Sequence, residues 1–273
     1  MSIKLRDGHQ MPRLGLGTWP MDDDEAHKAV THAISRGYRL IDTAASYGNE
    51  AGVGAAVADA NVPREELFVT TKLRGSQHGY DAALRGFEES SARLGLDYID
   101  LYLIHWPLPG RGLYVDTWRA FVRLQEQGLA RSIGVSNFTP EQISHLVEET
   151  GVWPAVNQIE LHPAFPQSEL RAWHAEHGIA TESWTPLGRG PKLFDEPAVS
   201  EIAAAHGRTP AQVVLRWHLQ LGAVPIPKSA NPDRMRQNIE VFDFSLSDDE
   251  MATIGSLDND GRMGGDPNTH MEF

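Results

Sequence analysis

Hydrophobic positions along the chain follow two alternating patterns. Short β-branched and aliphatic runs, typical of strands buried on both faces, are separated by longer segments in which apolar residues recur with the period of a helix. Strands are predicted at residues 14–17, 40–42, 67–71, 99–104, 132–135, 155–158, 179–182 and 223–226. Helices are predicted between them at residues 23–35, 50–60, 80–94, 140–149, 168–177, 197–206 and 210–221.

The order of these segments favours one fold class. Asp7-Gly8, between alternating residues ahead of the first strand, predicts an N-terminal β-hairpin. Eight strand–helix alternations then follow without a linker or a break in composition, which predicts a single domain over residues 1–273. We therefore expect an α/β protein, a (β/α)8 TIM barrel with an N-terminal β-hairpin.

An open doubly wound sheet is the structural alternative. That fold places a glycine-rich phosphate turn after its first strand. Here Gly15 and Gly17 supply the first two glycines of the fingerprint, but Trp19 and Pro20 follow them. The pattern therefore favours the barrel.

Composition limits the partners and the location. The 273-residue chain has 24 Lys+Arg against 37 Asp+Glu, a net charge of −13, which disfavours nucleic acid or an anionic membrane as a partner. The absence of cysteine excludes disulfides, a thiolate nucleophile and thiolate metal centres. No signal-peptide or transmembrane pattern is apparent. We expect a cytoplasmic monomer, and the net charge does not exclude a local basic pocket.

Four side chains suited to proton transfer lie at the ends of consecutive predicted strands. Asp42 ends the second strand and Tyr47 lies five residues later, Lys72 directly ends the third strand, and His105 directly ends the fourth. Because the carboxyl ends of barrel strands meet at one mouth, we expect these side chains to lie close together. Each alone has a simpler explanation, such as helix capping, solvent exposure or core packing.

Together these side chains could protonate a substrate oxygen. Burying Lys72 is costly unless a carboxylate pairs with it, and Asp42 is the nearest candidate. A phenol has a pKa of about 10, and a nearby ammonium is expected to lower the pKa of Tyr47 into a useful range. His105 could donate a hydrogen bond to a substrate carbonyl oxygen while Tyr47 protonates it.

Seven motifs in order resemble those of the aldo-keto reductases, over nearly the whole chain. They lie at residues 17–19, 42–50, 71–72, 103–107, 134–138, 157–163 and 227–229. Residues 155–163 and 216–220 most resemble the short bacterial 2,5-diketo-D-gluconic acid reductase type. The resemblance implies an NADPH-dependent barrel reductase of small carbonyl compounds. It also implies that Asp42, Tyr47, Lys72 and His105 are the catalytic tetrad, with Tyr47 as general acid.

The resemblance further implies a cofactor site without a Rossmann domain. Its residues are Thr18, Trp19, Asp42, Ser136, Asn137, Gln158, Trp184, Leu187, Gly188, Lys228, Ser229, Arg234, Gln237 and Asn238. Ser136, Asn137 and Gln158 match carboxamide-binding positions, and Trp184 matches the aromatic residue that stacks on nicotinamide. Leu187 and Gly188 lie in the loop that follows the pyrophosphate.

The other end of the implied site suits a phosphate. Lys228, Ser229 and Arg234 match the 2′-phosphate positions, and two cations with a hydroxyl near a helix start suit a phosphate monoester. We therefore predict a preference for NADPH over NADH. A solvated basic helix face is the alternative. Gln237 and Asn238 match adenine contacts, although many members have Glu at the position of Gln237.

Aromatic residues are expected to form the substrate pocket. Trp19, Tyr47, His105 and Trp106 should surround the carbonyl, a setting that favours apolar or planar compounds. The loop at residues 107–113 and the tail at 258–273 are short, and in this family such segments set specificity. They predict an open pocket for small aldehydes, dicarbonyls or keto sugars.

Other interpretations are weaker. His174 and His177 lie three apart on a predicted helix, but no third ligand is evident, so we expect a solvated helix face and no metal site. A nicotinamide-binding redox sensor on the same barrel is an alternative function, against which the intact tetrad argues. A cofactor-free isomerase or lyase would leave Lys228, Ser229 and Arg234 unexplained.

Overall fold

The N-terminal segment forms the predicted hairpin. The computed structural model describes residues 1–188 and 190–272. Strands β1 (Ser2–Lys4) and β2 (Gln10–Pro12) pair antiparallel. Leu5 and Met11 are buried in one cluster with Leu40 and Phe68, which lie near the amino ends of barrel strands. The hairpin therefore covers the amino-terminal end of the barrel, opposite to the end where the strands finish.

Eight parallel strands form the large sheet and confirm the predicted barrel. They are β3 (Gly15–Gly17), β4 (Leu40–Asp42), β5 (Phe68–Leu73), β6 (Ile99–Ile104), β7 (Ala130–Ser136), β8 (Val156–Glu160), β9 (Ala180–Trp184) and β10 (Val224–Pro225). Strands pair with their neighbours in chain order. The first and last strands meet where the Gly17 N–H donates to the Pro227 carbonyl at 3.3 Å, which nearly closes the barrel.

The predicted strands agree with the observed bounds to within two residues at either end. The main difference for the site is that β5 continues past Thr71 through Lys72 to Leu73. Lys72 is therefore a strand residue in the barrel wall, one residue before β5 ends. Nearly all strand residues are buried, as expected for a sheet covered by helices outside and filled inside.

Helices connect the strands and cover the outside of the barrel. They are α1 (Asp23–Ser35), α2 (Glu50–Ala58), α3 (Tyr80–Leu94), α4 (Tyr114–Glu126), α5 (Pro140–Thr150), α6 (Ser168–Glu176), α7 (Pro191–Asp195), α8 (Pro197–His206), α9 (Pro210–Gln220), α10 (Pro232–Ile239) and α11 (Asp248–Gly255). Helices α4, α7, α10 and α11 lie outside the predicted helix ranges. Helix α4 nevertheless has an apolar face, since Trp118, Phe121 and Leu124 are buried.

The prediction of a solvated face at His174 is wrong. His174 is fully buried, with Nε2 3.0 Å from Asn157 Nδ2 and Nδ1 2.9 Å from Thr181 Oγ1. Burial lowers the pKa of His174 to about 3, so the ring is neutral at physiological pH. His174 is a buried residue of α6 at a position where an apolar side chain would be expected. Its polar partners on β8 and β9 allow a histidine to be buried there.

Residues 1–188 and 190–272 contain neither a candidate metal-binding cluster nor a candidate membrane-spanning helix. In that part of the chain, no cluster of three or more histidine, aspartate or glutamate side chains could hold a metal ion. None of its helices is long and apolar enough to cross a membrane.

Candidate active site

The carboxyl ends of the barrel strands surround a cleft of about 880 Å³. Most of the residues predicted for the site line it. They are Thr18, Trp19, Asp42, Tyr47, His105, Trp106, Ser136, Asn137, Gln158, Trp184, Leu187, Gly188 and Lys228. The barrel topology explains this convergence, because parallel strands that are far apart in the chain all finish at the same end.

A buried ion pair lies at the base of the cleft. Lys72 Nζ lies 2.6 Å from Asp42 Oδ1, 3.1 Å from the Thr43 carbonyl oxygen and 3.2 Å from the Tyr47 hydroxyl. Lys72 is fully buried. Burial by itself lowers the pKa of Lys72, but the Asp42 carboxylate outweighs this effect and the pKa is raised. The ammonium therefore stays charged.

Tyr47 is positioned by a short 3₁₀ turn that follows β4. The turn spans Ala45–Tyr47 and ends at Gly48, whose φ of 71° lies in the left-handed region that favours glycine. Burial raises the pKa of Tyr47, and the Lys72 ammonium only partly offsets this effect. The predicted net lowering is therefore wrong in direction. The phenol remains protonated at neutral pH, as a proton donor must be.

Gln158 extends the network to a carboxyl group that sequence reasoning missed. Its Nε2 donates to Asp42 Oδ2 at 2.8 Å and to Glu182 Oε2 at 2.7 Å. Glu182 is fully buried in β9, and burial followed by the Asp42 charge raises the pKa of Glu182 to about 8. A glutamate in the middle of a strand buried on both faces is the signal that could have identified it.

His105 lies beside Tyr47 and in contact with the C-terminal tail. The two rings meet edge to face, with centroids 5.8 Å apart. His105 Nδ1 lies 3.2 Å from Ser46 Oγ and 2.7 Å from Glu272 Oε1. Glu272 was not predicted from the sequence as a site residue.

The tail, although short, covers part of the pocket. Glu160 accepts the backbone N–H groups of Met263 and Gly264 at 2.6 and 2.8 Å, which directs the tail toward the cleft. Beyond this point His270 stacks on Trp106, with ring centroids 3.9 Å apart. The tail thus lines one side of the cleft, and the expected openness of the pocket to substrates stays a prediction. Trp19, the remaining aromatic residue of the predicted wall, is 61% exposed at the mouth.

Polar side chains predicted to bind a carboxamide lie close to Trp184. Asn137 has a φ of 62°, and its Nδ2 donates to the His105 carbonyl oxygen and to Ser136 Oγ, both at 3.0 Å. Trp184 Nε1 donates to Asn137 Oδ1 at 2.8 Å. Thr18 ties the neighbouring β3 end to β4, since its hydroxyl donates to the Asp42 carbonyl oxygen at 3.0 Å. This end of the cleft is held by hydrogen bonds within the protein.

The residues predicted for a phosphate lie beside α10. Lys228 lines the cleft and its Nζ lies 3.6 Å from Glu25 Oε1, in an exposed pair. Ser229 is buried and its hydroxyl accepts the Asn231 N–H at 3.2 Å. Arg234 is exposed on the first turn of α10. The cleft lining does not include Arg234, Gln237 or Asn238, of which Asn238 is buried and Gln237 is half-buried.

Comparisons with known proteins identify the family. Residues 13–259 match the profile of the Aldo/keto reductase family. The chain is 53% identical to 2,5-diketo-D-gluconic acid reductase B of Corynebacterium sp., over 100% of this chain and 98% of that protein. It is 50% identical to methylglyoxal reductase DkgA of Escherichia coli K12, over 97% and 96%.

Solved structures agree with the sequence comparisons. The apo form of Gox0644 has a TM-score of 0.95 and 50% identity, covering 99% of this chain and 98% of that one. A variant of Gox0644 in complex with NADPH gives the same TM-score, identity and coverage. On the family profile, on full-length identity of about half and on the shared fold, the chain belongs to the aldo/keto reductase family.

Proposed function

We propose that this protein uses NADPH to reduce small aldehydes, dicarbonyl compounds or keto sugars to alcohols. The contact between the Lys72 ammonium and the Tyr47 hydroxyl, at 3.2 Å in a cleft beside His105, is the observation that carries the proposal. A protonated phenol next to a buried cation is suited to donate a proton to an oxygen on which charge develops. The names of the two relatives, a diketogluconate reductase and a methylglyoxal reductase, support this class of reaction.

The cleft fits the nicotinamide cofactor in size and in the order of its polar groups. Amide and hydroxyl groups lie beside the Trp184 indole, and the Lys228 ammonium also lines the cleft. Ser136, Asn137, Gln158 and Trp184 would hold the nicotinamide, and Leu187 and Gly188 would follow the pyrophosphate. Lys228, Ser229 and Arg234 would hold the 2′-phosphate, with Gln237 and Asn238 near the adenine. When bound, NADPH supplies a hydride to the carbonyl carbon.

Each tetrad residue has a distinct proposed role. His105 orients the carbonyl oxygen, and Tyr47 donates its proton to that oxygen. Lys72 stabilises the phenolate that remains, and the Asp42 carboxylate, 2.6 Å from Lys72 Nζ, holds the ammonium in place. Trp19 and Trp106, together with Tyr47 and His105, form the proposed wall around the substrate. Burial of the Lys72–Asp42 pair strengthens these electrostatic effects because water is excluded.

Replacing Tyr47 by phenylalanine tests the proposal. NADPH oxidation is followed by nicotinamide absorbance with methylglyoxal, beside a Tyr80→Phe control on the exposed face of α3. Tyr47→Phe should lower kcat by about 100-fold or more while NADPH binding persists, and Tyr80→Phe should behave as the wild type. Turnover that survives Tyr47→Phe would contradict the acid role. Tight NADPH binding by the wild type without turnover of any carbonyl compound would favour the redox sensor.

The proposed enzyme works as a monomer in the cytoplasm, with neither nucleic acid nor a membrane as its partner. The net charge of −13 supports the absence of attraction to polyanions. Analytical ultracentrifugation should give a single species near 30.2 kDa. A species of twice that mass would contradict the monomer.

A further inference from the structure

The C-terminal tail places a carboxylate next to the catalytic histidine. Glu272 Oε2 accepts the Gly75 N–H at 2.8 Å, and its Oε1 lies 2.7 Å from His105 Nδ1. The side chain is only 10% exposed and lines the same cleft as Tyr47 and Trp106. A substrate whose carbonyl oxygen contacts His105 would therefore share the cleft with this carboxylate.

Several contacts fix the tail in this position. His270 stacks on Trp106, and the His270 N–H donates to the Asp266 carbonyl oxygen at 2.7 Å. Asn268 Oδ1 accepts a hydrogen bond from Gln142 Nε2 at 3.3 Å, which ties the tail to α5. The placement of Glu272 therefore follows from a set of contacts along the tail as well as from its own two partners.

The partners of the Glu272 carboxylate are the His105 ring and the Gly75 N–H. In the described parts of the chain, no lysine or arginine makes an ion pair with Glu272. Burial alone would raise the pKa of Glu272, but the adjacent His105 ring and the hydrogen bond from the Gly75 N–H outweigh it, so the pKa is lowered and the carboxylate stays ionised. Nearby His78 does not supply a charge, since burial and then Arg111 lower the pKa of His78 to about 4.

Among residues 1–188 and 190–272, the cations of the cleft lie elsewhere and are already paired. Lys72 is neutralised by Asp42 at 2.6 Å. Lys228, which is exposed, faces Glu25. Asp42 and Glu272 are the two carboxylates among the described residues that line the cleft. Asp42 is paired with Lys72, whereas Glu272, on the His105 side, has no lysine or arginine partner.

We propose that Glu272 is a specificity-determining residue that selects neutral carbonyl substrates against those with a carboxylate next to the carbonyl. The inference rests on the proposed function, since it concerns the compounds reduced at the same site. Two like charges in a partly dry cleft repel more strongly than they would at the same distance in water. One relative is named for a sugar acid, and another is named for methylglyoxal, which is neutral. For this chain, Glu272 favours neutral substrates of the methylglyoxal kind.

Pyruvate and methyl pyruvate provide a matched pair of substrates for the test. They share the reacting ketone and differ in whether the carboxyl group bonded to the reacting carbon is charged or is a neutral methyl ester. The ratio of kcat/KM for pyruvate to kcat/KM for methyl pyruvate is measured at saturating NADPH for the wild type, Glu272→Gln and Glu272→Lys. Taking a ratio cancels any change in how His105 is held, because both substrates use the same histidine.

The expected ratio rises about tenfold in Glu272→Gln and further in Glu272→Lys, since the first removes the charge and the second reverses it. Glu176→Gln, at the exposed end of α6, changes the net charge equally and should leave the ratio as in the wild type. An equal rise in Glu176→Gln would overturn the proposal, because net charge alone would then account for it.

An unchanged ratio in both Glu272 variants overturns the role of Glu272 and leaves the proposed function intact. If the lysine variant proves poorly folded, the ratio in Glu272→Gln decides. Absence of methyl pyruvate turnover by the wild type, and of every other small carbonyl compound tried, would instead overturn the proposed function together with this inference.

Discussion

Arg234 offers a single-residue test of the cofactor end. It is exposed on the first turn of α10, whereas Arg236, two residues later, pairs with Glu240 at 3.0 Å. Arg234→Ala should raise the Michaelis constant for NADPH about tenfold and leave that for NADH unchanged, because only NADPH has the 2′-phosphate. Steady-state kinetics with both cofactors, beside the Arg236→Ala control, check this. An unchanged NADPH constant in Arg234→Ala would show that the arginine does not hold the phosphate.

The buried ion pair makes a second prediction at the residue scale. Lys72→Met leaves the Asp42 carboxylate buried without its cation, which should lower the free energy of unfolding by about 3–5 kcal/mol. Adding Asp42→Asn should restore part of the loss, since the uncompensated charge is then gone. Urea unfolding of the single and double variants measures the difference. A double variant less stable than Lys72→Met would contradict this account.

At the scale of elements, two glycines set how closely α2 packs. A Cβ on Gly54 would lie 2.1 Å from the carbonyl oxygen of Leu94, the last residue of α3, and one on Gly52 would lie 2.1 Å from the Asp23 carbonyl oxygen in α1. Both contacts are with backbone, which cannot move aside as a side chain can. The helices therefore approach each other through positions where only glycine fits.

Gly54→Ala should lower the free energy of unfolding by about 2 kcal/mol or more, because the overpacked helices must shift. This reverses the usual preference for alanine over glycine in a helix, which is about 1 kcal/mol. Gly255→Ala in α11 is the control, since its Cβ would meet no atom within 4 Å. Thermal unfolding should give a lower Tm for the first variant and an equal or higher Tm for the second. Equal Tm changes in the two variants would mean that the contact with Leu94 is unimportant.

For the whole molecule, the buried Glu182 predicts how stability depends on pH. Its pKa is raised to about 8 in the folded barrel from an ordinary value of 4.5. Between these values the folded protein keeps a proton that the unfolded chain releases. The contribution of this proton to the free energy of unfolding is therefore fully present below pH 4.5 and is lost as pH rises through 8. Glutamine stays neutral throughout.

The difference in free energy of unfolding, Glu182→Gln minus wild type, should therefore increase by more than about 1 kcal/mol between pH 5 and pH 8, because only the wild type loses this contribution. Urea unfolding of both proteins at the two pH values provides the measurement. A difference that is the same at pH 5 and pH 8 would show that Glu182 is already ionised in the folded protein at the lower pH.

Much of this architecture could be predicted from local pattern. The alternation of apolar runs with helical segments located eight strands to within two residues, because hydrophobic periodicity is a property of neighbouring residues. The same pattern, with the rule that barrel strands end at one mouth, was enough to group Asp42, Tyr47, Lys72 and His105. Helix α4 could have been predicted from its spacing of Trp118, Phe121 and Leu124.

The sequence by itself determined the barrel, the family and the four residues at the mouth, since these depend on periodicity, strand order and motifs that are local in the chain. Only the tertiary structure decided which charges meet there. Glu272 and Gly75 are 197 residues apart in the chain, and no local signal joins them. The balance between burial and the Lys72 charge, which raises the pKa of Tyr47, likewise depends on how all surrounding elements exclude water.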